Sequence, residues 1–352
     1  MTALRILLGL ALALVLGAGL VALGGGDVAA VYAALLHGAF GDRAGWDAVL
    51  IKACPILLTG LAVALPMRLG LFNLGGEGQM AIGGLCATLV GLRLGDVPPA
   101  VAVATCVLAG ALGGALWASI AAWMKTARGV NEVISTLLLN YVAASLLSWV
   151  VSGPLMAPDA PFPYSEELPE STLLPAAWSG WEAHLGIWLA ITLALALQWI
   201  YGQGSTGLSS RIVALSPRAA RYAGLSPTRQ TLATMAAAGA CAGLGGAIEV
   251  IGVKYRLFQG FVGGYGYDGV IAAMLSAAQP AATAVASVVL AGLKVGANAM
   301  QRATGLPVSL VEALQGLIIL CVTVSAALPA IRFAWARVRP ARTLQGQGHG
   351  AH

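Results

Sequence analysis

The sequence is short of charge. Only 9% of its 352 residues are Asp, Glu, Lys or Arg, against roughly a quarter in soluble globular chains. That deficit excludes a protein surrounded mainly by water. Lysine is especially scarce: Lys52, Lys125, Lys254 and Lys294 are the whole complement. None of them closes a GxxxxGK[ST] pattern, so the chain has no P-loop and cannot bind ATP by that route. Histidine is as sparse, at positions 37, 184, 349 and 352, with no HExxH, and no GxSxG occurs either. An intramembrane hydrolase therefore lacks its usual motifs. The five cysteines, Cys54, Cys86, Cys106, Cys241 and Cys321, lie in apolar stretches without CxxC or Cys/His clustering. They read as small apolar helix residues, not as a disulfide framework or zinc site. No cofactor or metal is called for. The net charge of +5 is small and local, which points to membrane orientation and not to nucleic acid.

What is abundant is apolar surface, at 59% of residues, and glycine, at 46. Glycine lets transmembrane helices approach closely. A bilayer span needs about 20 mostly apolar residues. Ten candidates occur, at 3–23, 48–67, 71–91, 98–124, 130–152, 185–201, 229–252, 265–279, 280–300 and 308–330. The expected fold is all-α and polytopic, with about ten transmembrane helices, or eight if the glycine-broken third and eighth segments are re-entrant. The first span has features of a signal peptide, but its apolar run is long, which favours a retained helix.

Orientation follows from where Lys and Arg collect. The stretch 153–184 carries Asp159, Glu166, Glu167, Glu170 and Glu182 and no base, so it is expected outside. The loop 209–229 carries Arg211, Arg218, Arg221 and Arg229 and no acid, so it is expected in the cytoplasm, as are Lys125 and Arg128. Residues 1–330 read as one transmembrane domain. The tail 331–352 reads as cytoplasmic, basic and then Gly-rich and disordered. Both termini then lie in the cytoplasm of a cell (inner or plasma) membrane protein.

Two segments look alike. Leu71-Phe72-Asn73 runs through glycines to Glu77-Gly78 and an apolar helix; Leu257-Phe258-Gln259 runs through glycines to Asp268-Gly269 and an apolar helix. In this topology they are inverted copies, a transporter device in which broken helices point their ends at the midplane. Chance similarity in an apolar chain is the plain alternative. Ionisable and amide groups inside spans are costly and each needs a reason. Asn73, Glu77, Gln79, Asn131, Asn140, Tyr267 and Asp268 are the candidate lining of a substrate path; amides bond neutral solutes without importing charge. The structural alternatives are helix capping for Glu77 and interhelical bonding for Asn140. Glu249, Lys294 and Glu312 read as paired or snorkelling groups, and Asp27, Asp42, Asp47 and Lys52 as interface markers. Gly110/Gly114, Gly239/Gly243, Gly260/Gly264 and Gly292/Gly296 have GxxxG spacing and predict close packing.

The loop 209–229 contains a short helix signal. Ser216 suits an N-cap, Pro217 the first helical position and Gly224 a C-cap. Ser216-Pro217-Arg218-Ala219-Ala220-Arg221-Tyr222-Ala223-Gly224 resembles the coupling-helix segment of permeases in the ribose, branched-chain amino acid and nucleoside ABC importer family. Phe72-Asn73-Leu74-Gly75-Gly76-Glu77-Gly78-Gln79 resembles the Phe-Asn-Ile-Gly-x-Glu-Gly-Gln signature of the nucleoside branch. Gly129 to Thr136 with Leu139-Asn140-Tyr141, and Gly264-Tyr265-Gly266-Tyr267-Asp268-Gly269, resemble two further signatures of that branch, the last with Tyr267 where Phe is usual. The resemblance covers about 48–330. It implies a permease that pairs with a second, similar permease as a heterodimer. It also implies a cytoplasmic ABC ATPase docked on residues 216–224, and an extracytoplasmic substrate-binding lipoprotein that delivers a nucleoside. Membrane lipid is the remaining partner. The competing expectation is an ion-coupled secondary transporter of a small polar solute, for which Glu77 and Asp268 supply membrane acids.

Overall fold

A computed structural model describes residues 2–305 apart from 24 and 96, with a few positions between 313 and 321; side chains are described from residue 11, with 13 excepted. The expected span 308–330, the acid Glu312 and the tail 331–352 fall largely or wholly outside the described residues. Every regular element described is helical. In order these are α1 (Thr2–Leu23), α2 (Val28–Phe40), α3 (Arg43–Met67), α4 (Gly76–Gly91), α5 (Pro99–Arg128) and α6 (Glu132–Val151). There follow α7 (Gly186–Gln203), α8 (Ser205–Leu215), α9 (Pro217–Tyr222), α10 (Pro227–Glu249), α11 (Tyr265–Leu275) and α12 (Pro280–Thr304). A π-helical turn, Val250–Lys254, extends α10.

Among the described residues six helices are long and apolar enough to cross a membrane: α3, α5, α6, α7, α10 with its π turn, and α12. That is fewer than the ten spans expected. The two segments singled out as glycine-broken are the short ones. α4 has 16 residues and α11 has 11; at 1.5 Å per residue α11 covers only about half a bilayer. The sequence reading also lacked α2, whose 13 apolar residues are too few for a span; Asp27 caps it, its carboxylate accepting from Ala29 and Ala30 N–H.

The centre of the molecule is α3, α4, α5 and α10. Leu57, Leu58, Leu61 and Leu65 of α3, Met80 of α4 and Ile248 of α10 are fully buried. Glycine brings three helices together there. A Cβ placed on Gly114 of α5 or on Gly243 of α10 would run into the facing helix's backbone, and one on Gly83 of α4 would strike Gly243. Two of the predicted pairs, Gly110/Gly114 and Gly239/Gly243, therefore face each other. Gly292/Gly296 instead makes room for Phe40 and the Leu35 carbonyl of α2.

The two ends of the bundle differ in charge. At one end Leu69, Leu71, Ala121, Ala122, Val213, Ala220 and Met235 form a cluster that gathers the ends of α3 and α5, the start of α10, and α8 and α9. The last turn of α5 there carries Lys125 and Arg128. At the other end the acidic segment 153–184 folds over the end of α10: Leu168 N–H donates to Tyr255 O, Leu174 N–H to Ile251 O, and Arg256 pairs with Glu167.

Candidate functional site

The segment 71–79 enters α4 through a polar knot. Asn73 and Gln79 exchange side-chain hydrogen bonds, Nδ2 to Oε1 at 3.0 Å and Nε2 to Oδ1 at 2.9 Å. Asn73 also donates to the Ala62 carbonyl and accepts from Gly75 N–H. Asn140 reaches in from α6: its Oδ1 accepts from Gly78 N–H at 2.9 Å and its Nδ2 donates to Leu74 O at 2.8 Å. Backbone groups not satisfied by the helix are thus met by protein side chains, as membrane depth demands. Asn131 stands apart, at the start of α6, where it caps Val133 N–H.

Glu77 joins the two similar segments. Its Oε1 accepts from Gly264 N–H at 3.0 Å and its Oε2 from Gly266 N–H at 2.8 Å. Those amides belong to the first turn of α11, whose N-cap Gly264 has φ of +85°, a conformation glycine adopts without penalty. Thr59 Oγ1 donates to Tyr265 O at 2.8 Å, tying α3 to the same point. The starts of α4 and α11 therefore meet inside the protein, and the carboxylate of one lies on the positive end of the other's dipole. Asp268, in the first turn of α11, is buried and ion-paired with Lys294 of α12. Tyr267 faces out of the fold. Asn73, Glu77, Gln79, Asn140 and Asp268 are thus brought into one polar region, with Tyr267 at its edge and Asn131 outside it.

A second group was not read as a site from the sequence. A cavity of about 260 Å³ lies between α3, the π turn, the start of α11 and the acidic segment; Asp47, Lys52, Glu182, Glu249, Lys254 and Tyr265 supply its polar lining. Glu249 is 1% exposed and neither carboxylate oxygen has a hydrogen-bond partner; Lys254 Nζ stands 3.6 Å from one of them. Asp47 is committed to the rim, accepting from the backbone N–H of Glu182 and Ala183 at 2.7 and 2.6 Å. The available signal was an acid and a base, Glu249 and Lys52, each inside an otherwise apolar span. They are 197 positions apart, so only folding puts them together.

The short surface helix is present. Ser216 caps α9, its Oγ accepting from Ala219 N–H, Pro217 is the first helical residue, and Gly224 has φ of +76°. Ala220 is buried against the bundle, whereas Arg218, Arg221 and Tyr222 project; Tyr222 is 95% exposed.

Comparison with known proteins reads this arrangement. The family described as branched-chain amino acid transport system / permease component matches residues 45–323. The chain belongs to that permease family. A glucose ABC transporter permease protein of Haloferax volcanii is 34% identical over 286 residues, covering 78% of this chain and 75% of the relative. A guanosine ABC transporter permease protein of Bacillus subtilis is 31% identical over 345 residues, 95% of each chain. A nucleoside ABC transporter permease protein of Lactococcus lactis is 26% identical over 315 residues, 83% of each. This permease is therefore a multi-pass membrane protein of the ABC transport class, a transport subunit and not an enzyme. The ion-coupled alternative receives no support.

Proposed function

We propose that this permease imports a nucleoside, driven by ATP hydrolysis on a separate cytoplasmic subunit that docks on α9. The observation that carries the proposal is the form of α9. A helix anchored by one buried alanine and presenting two arginines and an unpartnered tyrosine to solvent has the anatomy of an interface anchor, since Tyr and Arg are enriched at binding hot spots. The basic residues at that end of the bundle and the acidic segment at the other support placing α9 in the cytoplasm and residues 153–184 outside. The absence of a P-loop means that the energy comes from a partner.

The cargo reading rests on the relatives. Glucose and guanosine share little except a ring bearing adjacent hydroxyls, and the match to the guanosine permease spans nearly the whole chain. An extracytoplasmic binding protein would deliver the solute, and a second, related permease would complete the membrane unit. The meeting of α4 and α11 through Glu77 supports an inverted repeat, α3–α4–α5 against α10–α11–α12. Force on α9 would rock these units and alternate access between the two faces. The polar region around Asn73, Glu77, Gln79, Asn140 and Asp268 is the hinge of that motion.

The test is the double variant Arg218→Ala/Tyr222→Ala, expressed with its partner subunits. Guanosine uptake is expected to fall by about tenfold or more, with less ATPase co-purifying, since each anchor of this type contributes more than a kcal/mol. Normal uptake with normal co-purification rejects the docking role.

A further inference from the structure

We propose that two arginines at the α9 end of the bundle, Arg68 and Arg211, bind the phosphate of an anionic phospholipid. The proposal goes beyond the import reading and is independent of the cargo. Arg68 directly follows α3, and Tyr201 lies in the last turn of α7, so both stand where these spans leave the bilayer. Arg68 Nε donates to Ala278 O at 3.0 Å, and its guanidinium carbon lies 5.8 Å from the centre of the Tyr201 ring. These contacts fix the guanidinium and leave its two terminal nitrogens for another acceptor. Packing then brings α8 to it. Gly70 faces Ala214, and Leu69 and Leu71 cluster with Val213, which seats the end of α3 against α8 beside Arg211. Burial, and then the neighbouring charge of Arg211, pull the Arg68 guanidinium below its ordinary pKa. Among the described residues neither arginine has an acid within 4 Å. Two guanidiniums side by side without a counter-charge repel, and an anion held by both removes the conflict.

The guanidinium fork matches the oxygens of a phosphate. Residues 201–229 hold no acid, so the ammonium of a zwitterionic headgroup finds no counterpart there, and a net-negative headgroup is preferred. The apolar surface beside the arginines points to a lipid. Leu208 and Leu215 of α8 are 64% and 88% exposed, and with Arg211 they fall at i, i+3 and i+7 on one helix face. α8 has only 11 residues, too few to cross a bilayer. A short helix with exposed leucines and an arginine that can snorkel suits the membrane interface, its leucines among acyl chains and its guanidinium among headgroups. A soluble phosphate would use the arginines and leave both leucines in water. Basic pockets between spans at the cytoplasmic surface suit acidic headgroups. α8 leads straight into α9, so a lipid held here sets the level at which α9 is presented to its partner.

The experiment reconstitutes the complete transporter in vesicles of equal parts phosphatidylglycerol and phosphatidylcholine and re-extracts it in mild detergent. Native mass spectrometry then counts the retained lipids for the wild type, Arg68→Gln, Arg211→Gln and Arg128→Gln. The wild type is expected to retain phosphatidylglycerol over phosphatidylcholine by about tenfold or more. Arg68→Gln and Arg211→Gln are each expected to cut that preference by about fivefold, the worth of one arginine at a membrane surface. Arg128→Gln, at the end of α5, is expected to leave it unchanged. A wild type without preference, or variants that keep it, overturns the proposal. So does an equal fall in Arg128→Gln, which would mark diffuse attraction to the surface. If Arg68→Gln fails to fold, Arg211→Gln decides. A second arm supplies labelled inorganic phosphate to the transporter in pure phosphatidylcholine. Phosphate bound by the wild type and lost in Arg211→Gln, with no phosphatidylglycerol retained in the first arm, assigns the arginines to a soluble anion and overturns the lipid. Loss of co-purifying ATPase in Arg211→Gln with lipid retention intact gives Arg211 to the protein partner and also overturns it. Retention is read without transport, so failure of the import reading does not move these results.

Discussion

At Glu77 one carboxylate holds two helices by their first turns. A glutamine in its place keeps the shape but offers one acceptor and turns an N–H₂ toward a backbone donor. Glu77→Gln is therefore expected to destabilise the purified protein by about 1–3 kcal/mol, the cost of leaving a buried donor unmade. A melting temperature equal to wild type would show that the junction is not held there. His184 makes a second residue-scale case. It lies in the segment before α7, is 2% exposed, and neither ring nitrogen has a hydrogen-bond partner. Burial pushes its imidazole down to about 4 from an ordinary 6.5. A group depressed in the folded state contributes stability above its unfolded pKa and loses it as pH falls toward the folded one. Between pH 6.5 and 5 the loss is about 2 kcal/mol at 1.36 kcal/mol per unit. His184→Phe is expected to flatten the pH dependence of melting across that window; an unchanged slope contradicts this.

At the scale of elements, glycine decides how α4, α5 and α10 lie together. Gly243→Ala adds one methyl against the backbone of α5, which cannot move aside as a side chain can. Overpacking of this kind costs about 1–3 kcal/mol or more, so the variant is expected to lose its monodisperse peak in detergent. Gly19→Ala, with nothing within 4 Å of the added carbon, is expected to behave as wild type. The spacing of Gly110/Gly114 and Gly239/Gly243 was visible in the sequence, but not that one pair faces the other. The caps of α9 at Ser216, Pro217 and Gly224 were also legible, because cap chemistry is local. α2 was missed because a 13-residue apolar helix has no length signal, and Asp27 and Asp42, taken as interface markers, are its cap and that of α3.

At the scale of the molecule, long apolar periods made the bundle legible and the basic and acidic loops made its two ends distinct. The candidate site was legible in part. Asn73, Gln79 and Asn140 stood out as amides in apolar surroundings, and folding turns them toward backbone groups of the segment that opens α4. Lys52 of α3 could not be grouped with Glu249 and Lys254 from a linear reading, since only folding brings α3 beside the end of α10 and its π turn. What the whole assembly does depends on one claim: the permease performs no chemistry and is moved by ATP hydrolysis transmitted through α9. The most direct measurement is guanosine uptake into vesicles reconstituted with the permease and its partners, with ATP or a non-hydrolysable analogue supplied to the α9 face. Uptake that requires hydrolysable ATP and the ATPase subunit is the predicted result. Uptake by the permease alone, driven by an ion gradient without ATP, would contradict it.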